Sequence, residues 1–176
     1  MELKQLTEEV CKLLGVKGAD EITDRLYEIV THNETEFYEK FANIVDNDLD
    51  TDWLQMIFQY YQADRENKKQ DYTPRCIAKL MSVLAGQERC VMDLCAGTGA
   101  LTIQCWKMDK ESYHVMREVD QNVIPWLLFN MAARNIDCEV HHEDALQQKL
   151  YALYRIYKGE KFGTCEVIYQ DECMHI

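Results

Sequence analysis

Residues 90–101 read Cys90-Val91-Met92-Asp93-Leu94-Cys95-Ala96-Gly97-Thr98-Gly99-Ala100-Leu101. The apolar run before the glycines is typical of a buried strand, and the stretch after them predicts a helix over residues 100–107. A strand that passes through glycines into a helix presents free backbone N–H groups and the positive end of the helix. We therefore expect a ligand crevice at residues 97–99, where the strand ends.

Strands and helices alternate after this turn. Short apolar runs predict further strands, and apolar residues at helical spacing predict further helices. The expected strands are residues 113–118, 138–141 and 166–169, and the expected helices are residues 123–134 and 147–157. This alternation predicts an α/β fold with a parallel sheet and right-handed crossovers.

Two carboxylates follow the second and third predicted strands. Glu118 closes the second strand, where an acidic side chain can accept hydrogen bonds from a ribose diol. Asp144 follows the third strand, where it can accept a hydrogen bond from an adenine amino group or cap the next helix. Asp120 is the alternative to Glu118 if the second strand is shifted in register. The order of these features, rather than any one of them, indicates a ligand site.

Residues 1–69 are predicted to form a helical N-terminal region. Apolar side chains recur there at helical spacing in four stretches. The acidic residues 46–50 separate the third stretch from the fourth and predict a solvated, helix-capping loop. A calcium-binding loop is disfavoured, because its central glycine and the glutamate at its twelfth position are missing.

Composition and charge exclude several classes of protein. Of the 176 residues, 47% are hydrophobic, and the formal net charge is −12. That charge repels nucleic-acid phosphates, so a role on DNA needs a basic partner chain or a local basic patch. The compact basic stretch at residues 65–69 is interpreted as a solvated helix end. No apolar stretch reaches the roughly 18 residues of a membrane span, and the N-terminus lacks an apolar leader.

The eight cysteines predict a reduced, cytoplasmic protein in which most of them are small core residues. Cys165, Cys173 and His175 do not match the spacing of a common zinc site, so no metal is expected.

Four blocks of sequence, in this order, resemble the N6-adenine DNA methyltransferase family, nearest to the modification subunits of type I restriction systems. The blocks are Asp71-Tyr72-Thr73-Pro74, Asp93 to Leu101, Glu118-Val119-Asp120 and Asp144-Ala145-Leu146. The likeness covers roughly residues 70–170. It implies a truncated Rossmann-like methyltransferase domain over residues 70–176, with S-adenosylmethionine (SAM) or S-adenosylhomocysteine as its ligand.

The resemblance also implies a set of cofactor-binding residues. They are Tyr72, Thr73, Asp93, Cys95, Ala96, Gly97, Thr98, Gly99, Glu118, Val119, Asp144 and Ala145. In the family pattern, the threonine block holds the methionine end of SAM, and the glycine turn lines the amino-acid and sugar portions. Glu118 would then hold the ribose, and Asp144 the adenine.

The chain departs from the family after its last predicted strand. The family carries Asn or Asp, two prolines and an aromatic there, which bind the target amino group and stack on the flipped base. Aligned on Val167-Ile168, this chain reads Asp171-Glu172-Cys173-Met174. Asp171 can stand for the first residue of that motif and is the one catalytic candidate. The rigid Pro-Pro turn and the aromatic are replaced.

We therefore expect a SAM-binding protein that lacks independent catalytic activity and reaches DNA only through a partner. One alternative is a non-enzymatic interaction or regulatory protein that keeps the fold and binds a basic partner. The other is an active small methyltransferase with a different substrate pocket.

In the family's sheet order, the strand at residues 166–169 lies beside the first strand. In this chain, the other side of the strand at residues 166–169 would be exposed. Tyr151, Tyr154 and Tyr157 are expected to form a stripe that packs or covers an edge. An exposed apolar edge seldom stays open to water. We expect the N-terminal helices, the tail, a second copy in a homodimer or a partner chain to cover it.

Overall fold

A computed structural model describes residues 1–68 and 70–170 of the chain. Its helices are α1 Leu3–Leu14, α2 Ile22–Thr31, α3 Glu36–Ile44, α4 Trp53–Tyr61, α5 Arg75–Ala85, α6 Ala100–Met108 and α7 Ile124–Ala133, with a short 3₁₀ turn at Ala19–Glu21. Its strands are β1 Cys90–Asp93, β2 Tyr113–Glu118, β3 Cys138–Asp144, β4 Lys149–Tyr157 and β5 Thr164–Gln170.

The strands form one sheet in the order β1-β2-β3-β4-β5. Strands β1, β2 and β3 run parallel, and helices α6 and α7 connect them. Strand β4 is antiparallel to β3, and β5 is antiparallel to β4, so β5 runs in the same direction as β1. The predicted α/β fold is confirmed, with a sheet that is mixed rather than parallel throughout.

The helix predicted for residues 147–157 is wrong, because this segment contains strand β4. Ala152, Tyr154 and Ile156 are buried, and the residues between them are partly exposed. That period of two belongs to a strand, whose backbone groups here are bonded to β3 on one side and to β5 on the other. Tyr154 therefore points to the opposite face from Tyr151 and Tyr157, and the expected tyrosine stripe does not form.

The strand expected at residues 166–169 is β5, but it does not lie beside β1. The connection at residues 158–163 is a short hairpin loop, so β5 pairs with β4 at the opposite edge of the sheet. The Asn33 side chain donates to the carbonyl of Cys165 and accepts from its N–H, at 3.1 and 2.7 Å. The N-terminal helices thus cover one point of this edge, while Val167, Ile168 and Tyr169 stay exposed.

Helix α7 lies at the centre of the molecule, and every residue of Ile124–Ala133 is buried. A helix that is apolar on all sides needs cover on all sides. The N-terminal helices supply part of that cover. The ring of Phe129 lies 5.0 Å from that of Tyr38 and 5.4 Å from that of Phe41, and the Trp126 indole N–H donates to the Thr23 hydroxyl at 2.9 Å. The buried apolar residues form one cluster from α1 to β5.

The prediction that most cysteines are core residues holds for part of them. Of the seven described cysteines, Cys105, Cys138 and Cys165 are buried and Cys11 is half-buried against the core, whereas Cys76, Cys90 and Cys95 are exposed. The exposed three lie on α5, on β1 and just after β1, where no described element covers the sheet edge.

In the described part of the chain, no helix has the length and apolar character needed to cross a bilayer.

Candidate functional site

A cleft of about 330 Å³ opens where β1 and β2 end, beside the glycine turn. Such a volume falls within the range of small-molecule sites. The residues that line it are Gln55, Lys68, Gln70, Asp71, Tyr72, Thr73, Asp93, Cys95, Ala96, Gly97, Thr98, Ala100, Leu101 and Glu118. The cleft therefore joins the helical region, the segment before α5 and the carboxyl edge of the sheet.

The glycine turn has a backbone shape that side chains other than glycine resist. Gly97 and Gly99 have φ angles of 54° and 99°, which disfavour residues that carry a Cβ. A Cβ on Gly97 would come within 3.1 Å of the Tyr72 ring. A Cβ on Gly99 would come within 2.6 Å of the Met131 methyl and 2.9 Å of Leu127, both on α7. The turn is thus packed tightly against both the cleft wall and α7.

Glu118 links β2 to the glycine turn. Its carboxylate accepts hydrogen bonds from the backbone N–H groups of Gly97, at 2.8 Å, and of Val119 and Asp120, both at 2.9 Å. Burial raises the pKa of Glu118, although the three backbone donors favour its ionised form. A carboxylate offers about four acceptor positions, so three donors leave room for a ligand hydroxyl.

Asp120 has a different environment from Glu118. The Lys68 ammonium lies 2.8 Å from its carboxylate, and the Gln70 amide also donates to it. Strand β2 spans the residues predicted for it and ends at Glu118, so the second strand has the expected register. Asp120 serves to hold the segment before α5 against the sheet. Because α4 ends at Tyr61, Arg65 and Lys68 belong to that segment and not to a helix end.

Asp93 and Tyr72 shape the other side of the cleft. The Asp93 carboxylate accepts from the Thr102 hydroxyl at 3.2 Å, and burial raises its pKa. The Tyr72 ring packs against Gly97 and lies 5.7 Å from the ring of Phe58, and burial raises the pKa of its hydroxyl. The backbone carbonyl of Thr73 accepts from the Gln55 amide at 3.2 Å.

Four of the twelve residues implied as cofactor-binding do not line the cleft: Gly99, Val119, Asp144 and Ala145. Asp144 ends β3. It therefore lies at the same carboxyl ends of the parallel strands as the cleft, but one strand farther from β1 than Glu118 does. Its carboxylate accepts from the backbone N–H groups of Leu146 and Gln147, at 3.0 and 2.9 Å. These bonds close a turn into β4, where the sequence predicted the start of a helix.

Sequence reasoning missed Gln55, Lys68 and Gln70, which line the cleft, and Asp52, which stands behind it. Gln55 lines it from α4, and the buried Asp52 stands at the start of the same helix. The position of Asp52 before the apolar run of α4 identifies a helix cap. Nothing in that local pattern indicates that either residue meets a turn some 40 positions later.

The catalytic candidate Asp171 lies outside the described residues, as do Cys173 and His175. The last described residue, Gln170, ends β5, four strands from β1. At about 4.8 Å per strand, the end of β5 lies roughly 19 Å from the glycine turn along the sheet. In the described part of the chain, no group of three or more His, Cys, Asp or Glu residues could hold a metal ion.

One family model, described as N-6 DNA Methylase, matches residues 45–165. The match covers more than half of the chain and includes every residue that lines the cleft. No curated protein and no solved structure matches the chain.

Proposed function

Because the chain belongs to the N-6 DNA methylase family, whose fold is that of SAM-dependent methyltransferases, we propose that it binds SAM in the cleft beside the glycine turn. One observation supports this above the others. The Glu118 carboxylate and the backbone of the glycine turn line the same cleft and are hydrogen-bonded to each other. An acidic side chain at the end of the second strand is suited to a ribose diol.

The residues of the cleft fit the chemistry of this cofactor. SAM carries a positive sulfonium and, when bound, supplies an electrophilic methyl group. Among the described residues, three carboxylates line the cleft, those of Asp71, Asp93 and Glu118, and the lysine that lines it, Lys68, is already paired with Asp120. Such a lining favours a cationic ligand.

Within this proposal, each group keeps a role that its position allows. The Glu118 carboxylate holds the ribose, and Tyr72 and Thr73 enclose the methionine end opposite Asp93. Asp144 and Ala145, one strand away, contact the adenine only if that part of the ligand extends past β2. The division into a helical region of residues 1–69 and a methyltransferase domain of residues 70–176 stays a prediction.

We infer that the isolated chain does not methylate adenine. The segment after Val167-Ile168, which the sequence aligns with the family's catalytic motif, has neither its two prolines nor its aromatic, and β5 before it lies four strands from β1. The net charge of −12 opposes contact with DNA phosphates. We therefore assign target binding to a basic partner chain, as in a restriction–modification complex.

The seven described cysteines are free, which supports a cytoplasmic location.

Calorimetric titration with SAM and S-adenosylhomocysteine tests this function. We expect a dissociation constant in the micromolar range, about −8 kcal/mol of binding free energy. A folded protein that gives neither heat nor a thermal shift at millimolar ligand would exclude it. Steady transfer of tritiated methyl groups to DNA by the isolated chain would favour the active small methyltransferase instead.

A second candidate function is a non-enzymatic module that keeps the fold and binds a protein. It is favoured by a patch of exposed apolar side chains on α5 and β1. Seven such side chains are exposed on α5, on β1 or just after β1, those of Ile77, Leu80, Met81, Val83, Leu84, Met92 and Leu94. Ile77, Leu80, Met81 and Leu84 recur at helical spacing and so share one face of α5, and an exposed apolar face of this kind marks interaction sites. This candidate, taken alone, predicts partner binding with no heat from either SAM or S-adenosylhomocysteine.

A further inference from the structure

Asp52 joins the helical region to the glycine turn through buried hydrogen bonds. As the N-cap of α4, its carboxylate accepts from the backbone N–H of Gln55 at 2.9 Å. The Thr98 hydroxyl donates to the other carboxylate oxygen at 2.6 Å, and the Asn130 amide donates to the first at 2.8 Å. All three of these side chains are buried. Asp52 therefore caps α4 and also accepts hydrogen bonds from Thr98 and Asn130, which lie 46 and 78 positions later in the chain.

Asn130 fastens the backbone of the same turn. Its amide N–H₂ also donates to the Thr98 carbonyl at 2.8 Å. The amide oxygen accepts from Arg134 at 2.8 Å, which orients the N–H₂ toward Thr98 and Asp52. Thr98 is thus held at its hydroxyl by Asp52 and at its carbonyl by Asn130.

Arg134 completes the buried network and balances its charge. Its guanidinium donates to the carbonyls of Leu49 and Thr51, at 2.7 and 2.8 Å, and so holds the loop that leads to Asp52. Burial lowers the pKa of Arg134 to about 10, which leaves it charged at neutral pH. Burial raises the pKa of Asp52, while Arg134 and the hydrogen-bond donors oppose that rise. Residues 46–50 are exposed or half-buried, as predicted for this loop, and the chain after them enters this buried, hydrogen-bonded cluster.

The glycine turn needs such an anchor because its two glycines restrain it weakly. Gly97 and Gly99 flank Thr98 and have no side chains of their own. Glu118 holds the N–H of Gly97 from the sheet side, and the Asp52 network holds Thr98 from the helical side. Thr98 lines the cleft, whereas Asp52 does not.

On the premise that this cleft binds SAM, we propose that Asp52 is a positioning residue for the cofactor. It fixes the glycine turn in its binding shape through Thr98 and does not touch the ligand. The helical region is then a working part of the site rather than an appended unit, because it supplies Asp52 as well as Gln55.

The test measures affinity for S-adenosylhomocysteine in folded variants. Thr98→Val keeps the shape of the side chain and removes its hydroxyl, and Thr98→Ser keeps the hydroxyl. Asp52→Asn keeps an acceptor for Gln55 and Asn130 but can no longer accept from Thr98 with a charged oxygen. We expect about a tenfold loss of affinity for Thr98→Val, a smaller loss for Asp52→Asn, and near wild-type affinity for Thr98→Ser.

A matched control separates positioning from general destabilisation. Thr23→Val makes the same change at another buried threonine, which bonds to Gln62 and Trp126 and does not line the cleft. It should lower the free energy of unfolding without changing affinity, when all proteins are compared at a temperature where circular dichroism shows them folded. The NMR amide signals of Gly97 and Gly99, recorded without ligand, should shift in Asp52→Asn, which is remote from them in the sequence, and not in Thr23→Val.

The outcomes distinguish the inference from the function on which it rests. If the wild-type protein binds no ligand, the proposed function fails and the inference fails with it. If the wild type binds and both Thr98→Val and Asp52→Asn bind equally well, the inference alone is overturned. Unchanged glycine amide signals in Asp52→Asn would overturn it as well.

Discussion

Replacing Glu118 with alanine removes a carboxylate that serves the cleft and the fold at the same time. Loss of a charged acceptor for a ligand hydroxyl should weaken binding by about 1.5–3 kcal/mol, or about 10- to 150-fold. The same change leaves the N–H groups of Gly97, Val119 and Asp120 without their acceptor. We therefore expect a loss of about 1–3 kcal/mol in the free energy of unfolding, reduced because a buried charge is also removed.

Glu118→Gln separates the effect on ligand affinity from the effect on the free energy of unfolding. Its amide oxygen can still accept from Val119 and Asp120, but its N–H₂ group would face the Gly97 N–H and lose that bond. Stability should fall less than in the alanine variant, while binding should still weaken. Glu139→Ala is the matched control, since Glu139 accepts from the Tyr113 hydroxyl on the same sheet away from the cleft.

Calorimetry with S-adenosylhomocysteine gives the affinities, and urea denaturation gives the stabilities. If Glu118→Ala binds within twofold of the wild type, Glu118 does not hold the ligand and the assignment of the ribose is wrong. If Glu139→Ala weakens binding equally, the loss reflects the sheet and not the cleft.

Three further predictions concern pH, DNA and assembly. Burial lowers the pKa of His114 to about 4 in the folded protein, below its unfolded value near 6.5. The folded state therefore favours the neutral imidazole, and the stability that His114 contributes is lost as the pH falls from about 6.5 to about 4. Between pH 7 and 4.5 the wild type should lose about 2 kcal/mol more than His114→Gln in urea denaturation, and equal losses would contradict this. The isolated chain should transfer no tritiated methyl groups from SAM to duplex DNA at physiological salt, and steady turnover would refute that expectation. Light scattering at high micromolar concentration should give a mass above that of the monomer, and Leu80→Glu with Leu84→Glu should restore the monomer mass. A monomeric wild type would exclude self-association through the patch on α5 and β1.

The cleft-forming half of the fold was predictable because its signals are local. The apolar run of β1, the two glycines and the start of the helix after them occupy twelve consecutive residues, and each imposes its own backbone geometry. Glu118 was predictable for a similar reason, because the end of a strand is visible in the pattern and an acidic side chain there has a simple chemistry. Strand β2 ends at Glu118, and the Glu118 carboxylate is hydrogen-bonded to the glycine turn, so both observations agree with the predicted position of this residue.

Tertiary contacts decided the rest, since they join segments whose local patterns are ambiguous or silent. Apolar residues in 149–157 match both a period of two and a helical spacing, and pairing with β3 and β5 selects the strand. The hairpin that follows places β5 at the far edge and leaves β1 open, which no residue of β1 reveals. Asp52 looks like an ordinary helix cap in the sequence. Only the packing of α4 and α7 against the glycine turn brings its carboxylate to Thr98, because a hydrogen bond between residues 46 positions apart depends on the whole fold between them.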